Sequence, residues 1–147
     1  MSITKAVITA AGLGTRLLPA TKEQPKEMLP LFAPSPHGVV LKPILQIIFE
    51  QLYDIGAREF CFVVGRGKRS IEDYFTPDYD FLEYLRRTGK DPQAACLEEF
   101  YDRITNSHIL WVNQPIPKGF GDAVLTASSF VGDDPFFVAA GDNYVIS

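Results

Sequence analysis

Cysteine is scarce in this chain of 147 residues: only Cys61 and Cys96 occur, with no Cys-x-x-Cys pair and no Cys/His cluster. A structural zinc site is therefore not expected. Cys61 sits in the apolar run Phe60-Cys61-Phe62-Val63-Val64 and reads as a buried thiol. Long hydrophobic runs are missing too, as is a basic segment followed by an apolar stretch and a cleavage site, so a cytoplasmic chain is expected. Basic charge is in deficit, 14 Lys and Arg against 18 Asp and Glu, a formal net charge of −4. That balance disfavours a nucleic-acid-binding surface, though it leaves room for one bound nucleotide. His37 and His108 have no neighbours that suggest a catalytic pair, and no repeat or low-complexity segment occurs.

What is present fits one soluble domain. The composition is 46% hydrophobic and 22% charged, enough for a buried core. Residues 3–10 are β-branched and small, and read as a buried strand ending at Ala10-Ala11-Gly12. Residues 43–55 carry helical spacing, with Pro43 in the first turn and Gly56 at the end. Residues 59–64 read as a second buried strand, which makes a parallel βαβ unit. After a turn at 65–68, helices are expected from Ser70 to Tyr74, over 79–87 and over 92–104. Strands follow at 109–112 and 136–140, with a helix over 119–130 between them. The prolines near Pro34-Ser35-Pro36-His37-Gly38 point to an exposed loop. The fold class is α/β, an open and mostly parallel sheet flanked by helices. In such folds ligands sit beyond the carboxyl ends of the strands. Residues 11–16, 114–121 and 141–143 all fall at such ends.

The first of these segments is glycine-rich: Ala10-Ala11-Gly12-Leu13-Gly14-Thr15-Arg16. Glycines let successive N–H groups approach phosphate oxygens, Thr15 adds a hydroxyl, and Arg16 adds a fixed cationic fork. A dinucleotide fingerprint would need glycine at position 17, which is Leu. A Walker A loop would need Gly-Lys followed by Ser or Thr, which this loop lacks. The two glycines alone fit a tight structural turn equally well. The longer pattern, through Leu18-Pro19-Ala20-Thr21-Lys22 and Pro25-Lys26-Glu27-Met28-Leu29-Pro30, resembles the signature of the sugar-1-phosphate nucleotidyltransferases. Its ending looks most like the bacterial and archaeal UTP–glucose-1-phosphate uridylyltransferases.

The resemblance implies a Rossmann-like fold and a set of roles. Ala10, Ala11, Gly12, Gly14 and Thr15 match positions that bind the base and phosphates, and Glu27 matches a position close to the nucleotide. Arg16 and Lys26 match the catalytic cations near the phosphates. Gln114-Pro115-Ile116-Pro117-Lys118-Gly119-Phe120-Gly121-Asp122-Ala123 resembles the second nucleotide-binding segment, with Gln114 and Gly119 facing the base. An amide side chain suits a pyrimidine edge, because it both donates and accepts. Gly141-Asp142-Asn143 resembles the metal position, so Asp142 is expected to hold Mg²⁺. Glu72-Asp73, Glu98-Glu99 and Asp133-Asp134 read as solvated charges.

The implied partners are UTP and a sugar 1-phosphate, joined into UDP-glucose and pyrophosphate. Neither nucleic acid nor membrane is expected, and the oligomeric state, a homo-oligomer included, stays open. Family members continue well beyond the metal aspartate into a sugar pocket. Residues 1–147 are thus expected to be the nucleotide-binding part of such a domain, apparently truncated, either as a fragment or as an unusually short relative, with weak or absent turnover alone. The open alternatives are a thymidylyl, adenylyl or other nucleotidyltransferase, a non-catalytic nucleotide-binding module, and an α/β domain whose loop is only structural.

Overall fold

The computed structural model describes residues 3–10, 28, 30–36, 38–66, 68–116 and 118–140. Four parallel strands form the central sheet: β1 (Lys5–Ala10), β4 (Glu59–Val64), β5 (His108–Asn113) and β6 (Phe136–Ala140), in the order β5-β4-β1-β6. The expected strands at 3–10, 59–64, 109–112 and 136–140 all appear, with shifts of one or two residues at their ends. The chain adds β4 and β5 on one side of β1, then returns to add β6 on the other. The order of winding therefore reverses between β1 and β6, the place where open α/β sheets leave a crevice.

Alternation along the strands feeds two cores. Ala6, Ile8, Ala10, Phe60, Phe62 and Val64 face helices α1 (Ile44–Asp54), α2 (Lys68–Tyr74) and α4 (Asp91–Thr105), with α3 (Tyr79–Arg87) packed beside α4. This side is aromatic: Phe49 meets Phe60 at 4.6 Å and Phe75 edge-on at 5.3 Å, and Phe62 stacks on Trp111 at 4.7 Å. Such pairings add to the burial of apolar area. Val7, Cys61 and Val63 face the other way, onto Ala123, Ala127 and Val131. Ala123 comes from α5 (Phe120–Thr126), Val131 from α6 (Ser128–Val131), and Ala127 from the junction between them.

Helix α1 follows its sequence signals. Pro43 caps its start with φ −58°, and Gly56, at φ +116°, turns the chain out after Ile55. Two expectations need correction. The helix expected over 119–130 is two helices, broken at Ala127, whose φ of −90° and ψ of 10° leave the helical region. No Gly or Pro marks that break. Ala127 is fully buried against Val7, Cys61 and Val63, so tertiary packing fixes the bend.

The segment read as a loop around Pro34 is a β-hairpin, β2 (Pro30–Ser35) with β3 (Gly38–Pro43), antiparallel. Pro30, Pro34 and Pro43 fall in one alternating set of pairs, so the ladder needs none of their missing N–H groups. Gly38, at φ +105°, closes the turn, and the Ser35 hydroxyl donates to its carbonyl at 2.7 Å. Lys42 on this hairpin reaches the core side through Glu50, at 2.8 Å.

Asp134 and Glu98 are exposed, as expected of solvated charges, yet both are paired. Asp134 pairs with Lys5 at 2.9 Å, which ties the approach to β6 onto β1, and Glu98 pairs with Arg86. Cys61 is buried as expected, and burial pushes its thiol up to about 11. Among the described residues no helix is long and apolar enough to cross a membrane.

Candidate functional site

Because the sheet is parallel, every strand delivers its carboxyl end to one rim. Ala10 ends β1 directly beside Val64, which ends β4. The backbone N–H of Gln114, the first residue after β5, donates to the Val64 carbonyl at 2.7 Å. On the other side of β1, Thr9 pairs with Ala140 at the end of β6. Adjacent strands thus release the chain at adjacent points.

Three of the residues singled out in the sequence are described here. Ala10 is buried in the aromatic core. Gln114 is 3% exposed, so its polar side chain needs partners. Its Nε2 donates to Asp122 Oδ2 at 2.7 Å. Gly119 caps α5 with φ +94° and ψ 177°, a conformation open essentially to glycine alone. A Cβ placed there meets nothing within 4 Å, so the requirement for glycine is one of backbone, not of space. The Gly119 carbonyl accepts from Ala123 N–H at 3.1 Å and starts the helix that carries Asp122. Ala10, Gln114 and Gly119 are therefore linked in sequence through Val64 and Asp122 along one edge of the rim.

Ala11, Gly12, Gly14, Thr15, Arg16, Lys26, Glu27 and Asp142 lie outside the described residues. The first five follow Ala10 directly, and Asp142 is two residues beyond Ala140. Asp122 was not singled out from the sequence. An aspartate in a first helical turn is ordinary there, and only its eight-residue spacing from Gln114, across a strand-turn-helix junction, hints at contact.

The polar cluster on α1 is of another kind. Glu50 accepts from Lys42 at 2.8 Å, from Arg103 at 3.1 Å and from Gln46 at 3.5 Å, while the Tyr74 hydroxyl donates to Gln46. Burial, and then the charge of Glu50, push the Tyr74 phenol well above its usual range. This cluster joins the hairpin, α1, α2 and α4. Among the described residues, no group of three or more His, Cys, Asp or Glu gathers closely enough to hold a metal ion.

Comparison with known proteins gives the architecture a lineage. The nucleotidyl transferase family model matches residues 5–147. UTP–glucose-1-phosphate uridylyltransferase YngB of Bacillus subtilis (strain 168) is 43% identical over 145 residues, which is 99% of this chain and 45% of that one. A crystal structure of apo UDP-glucose pyrophosphorylase superposes with a TM-score of 0.85 at 36% identity, covering 99% of this chain and 49% of that one. A UDP-glucose pyrophosphorylase complexed with UDP-glucose superposes with a TM-score of 0.79, also at 36% identity, over 99% and 48% of the two chains. The chain spans about half the length of these relatives. With the family match running from the first residue of β1 to the end of the sequence, the chain belongs to the nucleotidyl transferase family.

Proposed function

We propose that this chain is the nucleotide-binding part of a UTP–glucose-1-phosphate uridylyltransferase. The observation that carries the reading is the buried Gln114 amide at the sheet rim, one strand away from the start of the glycine-rich loop. The similarity to uridylyltransferases and to a complex with UDP-glucose supports uracil as the base and glucose 1-phosphate as the acceptor.

In this reading Gln114 and Gly119 face the base. Ala10, Ala11, Gly12, Gly14, Thr15 and Glu27 surround the nucleotide. The sugar phosphate oxygen attacks the α-phosphorus in line and pyrophosphate leaves, with no protein nucleophile. The chain's part is positioning and neutralisation of the spreading negative charge by Arg16 and Lys26. Mg²⁺ suits a site with one or two carboxylates completed by phosphate oxygens and water. A single aspartate just past β6 fits that donor set, so Asp142 would hold it. When bound, Mg²⁺ supplies further charge neutralisation on the triphosphate. The cytoplasm, where nucleoside triphosphates are plentiful, is the compartment this reading requires.

The test is calorimetric titration of the chain with UTP, dTTP, CTP and ATP, with and without Mg²⁺. Mg²⁺-dependent binding of UTP, weakened at least tenfold by Asp142→Ala, is the expected result. A preference for dTTP would move the chain to a thymidylyl branch. Binding of no nucleotide would sink the proposal.

A further inference from the structure

Gln114 can read a base only if its amide is the right way round. The side chain offers one accepting oxygen and two N–H donors on a nearly symmetric frame, so a half-turn exchanges donor for acceptor. In a buried site that exchange inverts the pattern shown to a ligand. Something has to hold the orientation.

Asp122 is placed to do so. Its carboxylate lies 2.7 Å from the Gln114 amide and, when ionised, can only accept. The NH₂ end must therefore face Asp122. Gln114 is 3% exposed, which leaves little water to compensate a flip. Among the described residues this is the amide's one side-chain bond. It uses one of the two N–H donors. Oε1 and the second N–H then form an acceptor–donor edge.

We propose that Asp122 is a positioning residue that locks the Gln114 amide in the orientation matching uracil and opposing cytosine. The proposal rests on the reading that Gln114 faces the base. Uracil presents a donor at N3 and an acceptor at O4. Cytosine presents an acceptor at N3 and a donor at N4. With ribose and triphosphate holding the base in place, the locked edge satisfies uracil twice and meets cytosine with like against like. A flipped amide would do the reverse. Thymine shares the edge of uracil, so this lock discriminates by ring chemistry and leaves the 5-methyl group to other contacts.

The structure also explains why the lock resists a flip. Asp122 is carried on the first turn of α5, whose start is fixed by Gly119, and the Gln114 backbone is fixed by its bond to Val64. Both ends of the contact are thus tied to the sheet or its adjoining helix. Flipping the amide would set Oε1 against a carboxylate oxygen, losing a charge-assisted bond and creating a repulsion.

The experiment measures UTP and CTP affinities, in Mg²⁺, for the wild-type chain and for Asp122→Asn, Asp122→Ala, Asp122→Glu and Gln114→Ala. Asparagine can present either an oxygen or an NH₂ group to Gln114, so the lock is lost with little change in shape. The UTP-to-CTP affinity ratio is expected to fall about tenfold in Asp122→Asn and Asp122→Ala, the low end of what a hydrogen bond to a charged group contributes. Asp122→Glu, which keeps the carboxylate, should recover part of the ratio. A merely structural role would weaken both nucleotides equally and leave the ratio unmoved. A wild-type ratio in both Asp122→Asn and Asp122→Ala, with the ratio lost in Gln114→Ala, would overturn the lock and leave the base reading intact. A wild-type ratio in Gln114→Ala would instead overturn the base reading, and the lock with it.

Discussion

Two buried polar sites sit in this domain, and they are built differently. Around Glu50 both carboxylate oxygens are taken, by Lys42 and Gln46 on one and Arg103 on the other. Among the described residues only the Arg103 Nε–H is a buried side-chain atom without a partner. At the rim, the one side-chain bond of Gln114 among the described residues goes to Asp122. Buried polar groups cost free energy unless they are paired. The first site pairs both Glu50 oxygens, leaves the Arg103 Nε–H as its one orphan among the described residues, and fastens elements together. The second lies at the end of a strand, where α/β sheets take ligands.

The comparison can be broken at Glu50 first. Glu50→Ala leaves Lys42 and Arg103 facing each other over a buried gap. It is expected to lower unfolding free energy by about 3 kcal/mol, near the lower bound for breaking a buried pair because Arg103 retains some solvent. Urea denaturation would measure this, and UTP affinity should stay within twofold. A loss below 1 kcal/mol would show that the cluster does not fasten the hairpin to α1 and α4.

The rim should answer in the opposite way. Gly119→Ala introduces a Cβ into free space but onto a backbone at φ +94°, at a cost of about 2 kcal/mol from conformation alone. With Gly119 facing the base, as proposed, UTP binding should weaken as well, by about tenfold. Stability unchanged by this variant would mean that the chain can adopt another turn there.

Cys61 gives a third case, a buried ionisable group shifted by burial. Burial raises its thiol from 9.0 to about 11. Below pH 9 the thiol is protonated in both folded and unfolded chains. Between pH 9 and about 11 the unfolded chain loses the proton and the folded chain keeps it, so stability falls as pH rises. Cys61→Ala should flatten that part of a denaturation series against pH while lowering stability at neutral pH. A slope identical to wild type would show that Cys61 does not contribute to it.

Much of this was legible beforehand, for physical reasons. β4 could be read to the residue because it is a continuous apolar run, and the charge-rich α3 also fell at its expected bounds, where the Asp78 carboxylate caps the Phe81 N–H at 3.1 Å. The hairpin was not, since Leu31 and Ala33 turn inward while Phe32, Val39 and Leu41 stay exposed. Apolar residues on both faces erase the period-two signal, and its prolines suggest a loop. The break at Ala127 has no local cause and could only come from packing. At the site, resemblance singled out Gln114 and Gly119, whereas the role proposed for Asp122 works through a neighbour eight residues away. No spacing rule reports which way an amide faces.

The break at Ala127 also sets a timetable for local opening. It leaves α5 and α6 as short pieces that offer the sheet Ala123, Ala127 and Val131, while the opposite face is clasped by Phe49, Phe60, Phe62, Phe75 and Phe100. Segments with few buried apolar contacts exchange their amide hydrogens through small, frequent openings, and densely packed ones only through global unfolding. The layer carrying Asp122 should thus breathe while the aromatic layer stands still. A ligand gripping Gln114 would register first as slowed exchange in α5, with β4 unmoved.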